Sequence, residues 1–324
     1  MRALICNEYG PPETMSVGDW EDPVPGDDEI VFDVKAAGLN FADVLMIAGQ
    51  YQVKTPPPFI PGNEAAGVVS AIGKNVTRFK SGDRIIGALR GGAFAEKAIV
   101  PQDFAIRLPD GLSFEQGAGY SVAYGTSYHG LKQGARLQPG ETVLVLGAAG
   151  GVGYTAVEIA KAMGATVIAA ASSDEKLAYA REAGADETIN YSDTSLKDAV
   201  KELTGGRSVD VVYDPVGGEL SEQALRATAW HGRYLVVGFA SGDIPKFPLN
   251  LALLKEASIV GVWFGTWAAK HTDQMLQGMA ELDEMVQAGR LKPRFSQAFA
   301  LDDFADAFLV ITERRVLGKV VLTI

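Results

Sequence analysis

Cysteine and histidine are scarce in this sequence, and their scarcity limits the chemistry that it can carry. Cys6 is the single cysteine among 324 residues, so no disulfide can close within the chain and no multi-cysteine zinc or iron–sulfur site can form. The three histidines, His129, His231 and His271, show no spacing typical of metal ligands. We therefore expect no bound metal.

Long apolar runs and runs of positive charge are also missing. No apolar stretch reaches the roughly 18 residues of a membrane-spanning helix, and the first residues lack the pattern of a signal peptide. The net charge is −11, and no Lys/Arg cluster offsets it. Such a field repels nucleic acid and anionic membranes. We expect a cytoplasmic protein that binds neither.

What the sequence does contain predicts a globular protein of more than one domain. Its 47% hydrophobic content is enough for a core, and 324 residues exceed the usual single-domain length of about 100–200. In residues 1–118, short apolar strands are separated by Gly-Pro, Pro-Gly and Gly-Asp dipeptides, a pattern that predicts an antiparallel, barrel-like domain. The predicted strands are 3–6, 29–36, 66–72, 84–88 and 94–100.

Residues 119–265 alternate apolar strands with helices. Six such strands joined by helices predict a parallel sheet covered on both faces, which is the doubly wound α/β class. A capping-box signature at Ser113 and Gln116 predicts a helix that leads into this region and runs to about residue 130. The predicted strands are 142–147, 166–171, 187–191, 209–213, 233–239 and 258–264. The predicted helices are 154–163, 174–183, 196–203 and 220–229.

The third part, residues 266–324, has helical patterns at 272–288 and 302–312 and strand patterns at 295–299 and 318–324. An open α/β domain is complete at six strands, so we expect this segment to pack back onto the first domain. The sixth strand of the sheet would leave an exposed apolar edge, and pairing with its copy in a homodimer would cover it.

A glycine-rich turn follows the first strand of the alternating region. Glycines there allow a sharp turn and a close approach to a pyrophosphate, which the positive end of the following helix attracts. A glycine triplet alone is a weak signal, but strand, turn, helix and second strand follow within about 30 residues, as a dinucleotide site requires. We assign to this site Gly147, Ala149, Gly150, Gly151, Val152 and Gly153.

The end of the second strand bears on the choice between NAD and NADP. Ser172 and Ser173 can donate hydrogen bonds to a 2′-phosphate, and Lys176 can supply positive charge, which favours NADPH. The alternative is an ordinary helix N-cap, with Ser173 or Asp174 capping and Lys176 solvated. The negative charges of Asp174 and Glu175 support that alternative.

Several motifs along the chain carry a family resemblance. They are Ala-Gly-Leu-Asn-Phe-Ala-Asp at 37–43, Gly-Gln-Tyr at 49–51, Pro-Gly-Asn-Glu-Ala-Ala-Gly-Val at 61–68, Gly-Asp-Arg at 82–84, the glycine turn, and Tyr-Asp-Pro-Val-Gly-Gly at 213–218. On these motifs the whole chain resembles the zinc-independent quinone oxidoreductase branch of the medium-chain dehydrogenase/reductase superfamily. The resemblance implies a GroES-like catalytic β barrel and a Rossmann domain that binds NADPH.

Two asparagines bear on the question of zinc. Asn40 and Asn63 stand where the zinc-dependent relatives carry a cysteine and a histidine, and neither amide is a competitive zinc ligand. The relatives' lobe of four structural cysteines is missing too. The resemblance therefore implies hydride transfer without a metal Lewis acid, so the substrate oxygen needs hydrogen-bond donors.

The resemblance also implies the catalytic residues. Asn40 would polarise the substrate oxygen or orient the nicotinamide ribose, Tyr51 would donate a hydrogen bond or proton, and Asp43 would anchor their loop. The alternatives are a turn role for Asn40 and an aromatic packing role for Tyr51. Ile47 replaces an arginine of many relatives, from which we expect a more apolar substrate pocket.

Further cofactor contacts implied by the resemblance are Thr126, Tyr191, Phe239, Ser241 and Lys319. Phe239 and Ser241 follow a strand at its carboxyl end, where ligands of open α/β sheets bind. Tyr191 can instead be a surface aromatic, and Lys319 a solvated charge.

Together these features predict an NADPH-dependent reductase that sends a hydride to a small electrophile, a quinone or another conjugated carbonyl. Reduction of the double bond of an enone or enoyl thioester is a second hypothesis. A third, of another class, is a protein that binds NADPH without turnover, because a fold does not fix a function.

Overall fold

The computed structural model describes residues 1–324, and the chain divides into two units. The first unit joins residues 1–122 with 272–287 and 292–324. The second unit contains residues 123–271 and 288–291. Each boundary lies a few residues beyond the ones expected at 118 and 265.

The first 120 residues contain seven strands. They are β1 Arg2–Cys6, β2 Met15–Asp19, β3 Glu29–Leu39, β4 Glu64–Ile72, β5 Arg84–Ala88, β6 Lys97–Pro101 and β7 Ala105–Arg107. Two short helices accompany them, α1 Phe41–Ile47 and α2 Phe114–Ala118. β3 pairs antiparallel with β4 and β6, β4 with β5, and β5 with β7. The predicted antiparallel sheet is thereby confirmed, whereas α1 was not predicted.

The second unit alternates strands and helices. Its elements are β8 Thr142–Leu146, α4 Gly151–Ala162, β9 Thr166–Ala171, α5 Asp174–Glu182, β10 Glu187–Asn190, α6 Leu196–Leu203, β11 Val209–Asp214, α7 Glu219–Arg226, β12 Thr228–Val236, α8 Asn250–Lys255, β13 Ser258–Gly261 and α9 Phe264–Lys270. They follow α3, Ser121–Tyr128, which ends in a π-helical turn over His129–Gly134.

The six strands of the second unit form one parallel sheet, as predicted, in the order β10-β9-β8-β11-β12-β13. β8 is buried over its whole length because helices cover both faces of a parallel sheet. From β8 the chain builds β9 and β10 on one side and then returns to β11 on the other. The carboxyl ends of β8 and β11 therefore flank the switch point of the sheet, where ligands of this class bind.

Later residues complete the sheet of the first unit. They form α10 Thr272–Gln287, β14 Gln297–Ala300, α11 Phe304–Thr312 and β15 Val320–Thr323. β15 runs antiparallel to β3, with Val320 opposite Leu39, and β14 adds to β15 in parallel. Phe308 of α11 packs edge-on against Phe94 in the core of this unit.

Several predicted elements have different bounds. The single helix expected up to residue 130 is broken after Gly119, whose N–H bonds to the Gln116 carbonyl and closes α2. The strand expected at 258–264 ends at Gly261, and the unpredicted α9 begins at Phe264. No helix of the chain is both long and apolar enough to span a bilayer.

Candidate functional site

The glycine turn of the second unit joins β8 to α4. Gly147 has a φ of +57°, which favours glycine, and its carbonyl accepts the Gly150 N–H at 2.9 Å. A Cβ on Gly153 would lie 2.1 Å from the Gly147 oxygen, so the helix packs against the turn more closely than any side chain permits.

The start of α4 fits an anion. The helix begins at Gly151 rather than at the predicted residue 154, so Gly151, Val152 and Gly153 form its first turn. No side chain caps this end. Free N–H groups and the positive end of the helix dipole together favour a phosphate group there. The predicted pyrophosphate site is therefore consistent with the geometry.

The end of β9 brings Ser172, Ser173 and Lys176 together. Ser173 caps α5, its hydroxyl oxygen accepting the Lys176 N–H at 3.4 Å. The Lys176 ammonium also reaches back to the Ser172 hydroxyl at 3.2 Å. Asp174 accepts the Asn190 side-chain amide at 3.2 Å. A hydroxyl and an ammonium thus lie together at the carboxyl end of β9.

The other predicted cofactor residues of the second unit lie on separate elements. Thr126 lies on α3, and Tyr191 follows β10, where its N–H bonds to the Ala171 carbonyl at 3.1 Å. Phe239 and Ser241 belong to the loop after β12 and lie against the loop after β11. Their cofactor contacts stay predictions.

A buried ion pair forms the centre of a polar cluster in the first unit. Lys319 and Glu64 are 4% and 0% exposed, and the Lys319 Nζ lies 2.8 Å from Glu64 Oε1. The ammonium also donates to Asn40 Oδ1 at 2.8 Å and to the Leu39 carbonyl at 3.3 Å. These three oxygens occupy its three N–H bonds. The predicted cofactor contact of Lys319 stays a prediction that requires one of them to be released.

Asn40 is held by this ion pair. Its Oδ1 accepts from Lys319, and its Nδ2 donates to Glu64 Oε1 at 3.0 Å, so the orientation of the amide is fixed. The other N–H of the Nδ2 group makes a long hydrogen bond of 3.4 Å to the Gly38 carbonyl. Asn40 also precedes α1 as its N-cap residue, so the turn role and the donor role are compatible.

Asp43 lies beneath Asn40 and is fully buried. Its carboxylate accepts the Asn40 backbone N–H at 2.7 Å and the Asn63 side-chain amide at 2.6 Å. Burial raises the pKa of Asp43 to about 7, against the lowering effects of the Asn40 hydrogen bond and the Lys319 charge. These contacts suit the predicted anchoring of the loop, and direct participation in catalysis stays a prediction.

Tyr51 and Ile47 differ in their exposure. Tyr51 is half-buried and packs against the core of the first unit, while its N–H bonds to the Leu45 carbonyl at 3.0 Å. Ile47 is fully buried in the same core. Ile47 therefore lines no exposed surface, and a pocket made more apolar by the absence of the arginine stays a prediction.

Comparison with known proteins identifies the family. Residues 26–110 match the alcohol dehydrogenase GroES-like domain, and residues 151–281 match the zinc-binding dehydrogenase domain. The chain is 41% identical to quinone oxidoreductase-like protein 2 of Rattus norvegicus, over 100% of this chain and 92% of that protein. It is 38% identical to a quinone oxidoreductase of Pseudomonas aeruginosa, over 97% of each. It belongs to the quinone oxidoreductase branch of the medium-chain dehydrogenase/reductase superfamily.

Solved structures agree with this assignment. The Escherichia coli quinone oxidoreductase, described as a complex with NADPH, superposes with a TM-score of 0.93 at 30% identity over the whole of both chains. The CurK enoyl reductase gives 0.91 at 27% identity, over 99% of this chain and 98% of that one. The chain is therefore an oxidoreductase. Its predicted fold, a Rossmann domain together with a GroES-like domain, is confirmed.

The positions that carry zinc ligands in other branches of the superfamily are engaged differently in this oxidoreductase. Asn40 and Asn63 donate their amides to the carboxylates of Glu64 and Asp43. No group of three or more His, Cys, Asp or Glu side chains is placed to hold a metal ion.

Sequence reasoning missed two residues that support the predicted site. Glu64, which orients Asn40, is the only charged residue of a mainly apolar strand, and this contrast could have singled it out. Tyr9 holds the loop that carries Tyr51, because its hydroxyl donates to the Thr55 carbonyl at 2.8 Å and its ring packs on Gly49. No sequence pattern points to that contact.

Proposed function

We propose that this oxidoreductase uses NADPH to reduce a quinone or a related conjugated carbonyl, and that it does so without zinc. The observation that carries the proposal is the uncapped start of α4 beside the Gly147 turn, with Lys176 and Ser172 at the neighbouring strand end. The relation to an E. coli quinone oxidoreductase described with NADPH supports it. When bound, NADPH supplies the hydride.

The residues of the second unit would hold the cofactor. The N–H groups of Gly151, Val152 and Gly153 bind the pyrophosphate, and Lys176 with Ser172 binds the 2′-phosphate. The 2′-phosphate carries about two negative charges, which a nearby positive charge stabilises. Lys176 provides that charge, whereas the Ser173 cap alone is uncharged.

The residues of the first unit would act on the substrate. Asn40 donates to the substrate oxygen the amide N–H that makes only a long bond to the Gly38 carbonyl, as negative charge develops on that oxygen. Glu64 and Lys319 keep that amide in one orientation, so little reorganisation is needed in the transition state. Tyr51 donates a hydrogen bond or a proton. The amides of Asn40 and Asn63 bond to carboxylates. Because an amide N–H stabilises the developing charge, the proposed reaction needs no zinc.

NADPH oxidation, followed at its absorbance band with quinones, alkenals and enoyl thioesters, tests the proposal. We expect the fastest turnover with quinones. Binding of NADPH without oxidation by any of these acceptors would establish a non-catalytic binding protein instead.

Lys176→Ala should narrow the preference for NADPH over NADH by about tenfold or more, since a charged hydrogen bond is lost. Lys201→Ala, at an exposed lysine of α6, should leave that preference unchanged.

Reduction of a conjugated carbon–carbon double bond is the second candidate. The similarity to the CurK enoyl reductase favours it, and the same donors would stabilise the enolate formed when a hydride adds to an enone or enoyl thioester. Faster turnover of enoyl thioesters than of quinones would select this activity.

We also propose a cytoplasmic homodimer joined through β13. This strand lies at the edge of the parallel sheet, and an exposed sheet edge invites pairing with another strand. Exposed apolar side chains accompany the strand on β12, α8 and β13 and at the start of α9, and they are Trp230, Leu253, Leu254, Ile259 and Trp263. Pairing two copies of β13 about a two-fold axis would cover them.

A further inference from the structure

Asp214 ends β11 and is only 3% exposed, yet the sequence motif that contains it has no role in the function proposed so far. Four uncharged donors surround its carboxylate. The backbone N–H groups of Val216 and Gly217 donate to Oδ1 at 2.8 and 2.9 Å. The hydroxyls of Ser221, at 2.6 Å, and Tyr234 donate to Oδ2. Burial and the neighbouring carboxylate raise the pKa of Tyr234, so its hydroxyl keeps the proton that it donates.

The same carboxylate lies at the base of two loops that bond to each other. We call residues 215–218 and 237–243 the loop pair. The N–H of Ser241 donates to the Val216 carbonyl at 2.8 Å, and that of Gly218 donates to the Asp243 carbonyl at 3.1 Å. The bonds of Asp214 to residues 216 and 217 fix the first loop, and the first loop fixes the second.

The loop pair lies at the switch point of the parallel sheet. It follows β11 and β12, and Val216 touches the dinucleotide turn, since a Cβ on Gly147 would lie 2.8 Å from Val216 Cγ2. Ser172 and Lys176 follow β9, on the opposite side of β8. A dinucleotide with its 2′-phosphate near Lys176 and its pyrophosphate at α4 therefore extends its nicotinamide half toward the loop pair.

We propose that Asp214 is a positioning residue that sets the geometry of the loop pair and thereby the binding of the nicotinamide half. The inference rests on the proposed NADPH site. Leucine at this position would have a similar size but would accept no hydrogen bond. The bonds to residues 216 and 217 would then be lost, and the first loop would no longer be fixed.

Isothermal titration of the Asp214→Leu variant with two ligands tests the role. NADPH has both halves, whereas adenosine 2′,5′-bisphosphate lacks the nicotinamide half. We expect the Kd for NADPH to rise about tenfold or more, as for the loss of a charge-assisted hydrogen bond, and the Kd for the bisphosphate to stay within about twofold. The matched control is Asp210→Leu, on the same strand, where the native carboxylate accepts the Thr142 N–H at 2.7 Å near the opposite end. It should change neither Kd.

Tyr234→Phe provides a milder test should the leucine variant fail to fold. It removes one donor and keeps the ring that packs edge-on against Phe247 at 5.2 Å. We expect a smaller, selective loss of NADPH affinity. An unchanged NADPH affinity, or equal losses for both ligands, would overturn the positioning role. A wild-type protein that binds neither ligand would instead refute the proposed function, and the role of Asp214 with it.

Discussion

At the scale of single residues, the predicted active site contains a buried ion pair. Glu64 and Lys319 are almost completely buried and satisfy each other, and Asn40 bonds to both. Desolvation makes such a pair costly, but removing one partner costs more because the remaining charge is left without compensation.

A double-mutant cycle measures the interaction free energy of Glu64 and Lys319. Glu64→Gln and Lys319→Met should each lower the free energy of unfolding by about 3 kcal/mol. The double variant should lose clearly less than the sum, because it leaves no unpaired charge. Urea denaturation monitored by circular dichroism gives the three values. Strictly additive losses would show that the two side chains do not stabilise each other.

Asp43 gives the protein a defined pH dependence. Its folded-state pKa of about 7 lies above the ordinary value of 3.8, so between these values the folded state holds a proton that the unfolded state has released. Stability from this group is complete below about pH 4 and is lost as the pH rises through 7, by at most about 4 kcal/mol.

The measurement compares wild type with Asp43→Asn by urea denaturation from pH 4.5 to 7.5. The variant cannot titrate at residue 43, so the stability of the wild type relative to the variant should fall across this range. A difference that stays constant with pH would contradict a raised pKa for Asp43.

Sequence reasoning identified Asn40 and Asp43 but could not reach their partners. Asn40 bonds to Lys319 across 279 positions of the chain, and no local pattern predicts such a contact. The N-cap at Ser173 could be predicted from the sequence, because its hydrogen bond to Lys176 lies within one helical turn.

At the scale of helices and strands, prediction succeeded where turn or capping residues marked the ends of a segment. β5, β9 and α6 have the predicted bounds. The missed helices α1, α8 and α9 have six or seven residues each, too few to show a helical period. α8 also points Leu253 and Leu254 outward, so its apolar residues do not mark a buried face.

The junction of β8 and α4 allows a test with two glycines. Gly153→Ala should destabilise the protein by about 2–3 kcal/mol and weaken NADPH binding, because its Cβ would overlap the Gly147 oxygen. Gly150→Ala should cost about 1 kcal/mol or less, since its φ of −78° is ordinary and its Cβ would lie 3.4 Å from that oxygen. Thermal unfolding compares them. Equal losses would mean that close packing at Gly153 is unimportant.

At the scale of the whole molecule, the edge strand β13 predicts association. Sedimentation at micromolar concentration should give the mass of two chains, and Ile259→Lys should give the mass of one, because a buried lysine opposes pairing of the edge. Ile72→Lys, on β4 and 39% exposed against 37% for Ile259, is the control and should remain dimeric. A wild-type protein that sediments as one chain would refute the dimer.

The pairing of β15 with β3 has a consequence for the order of folding during synthesis. Residues 123–271 are almost the whole of the second unit and can fold as soon as they leave the ribosome. The sheet of the first unit stays incomplete until residues 320–323 emerge, although β3 was made nearly 300 residues earlier. Until Lys319 arrives, Glu64 has no countercharge. The part of the chain that is synthesised first is therefore the part that matures last.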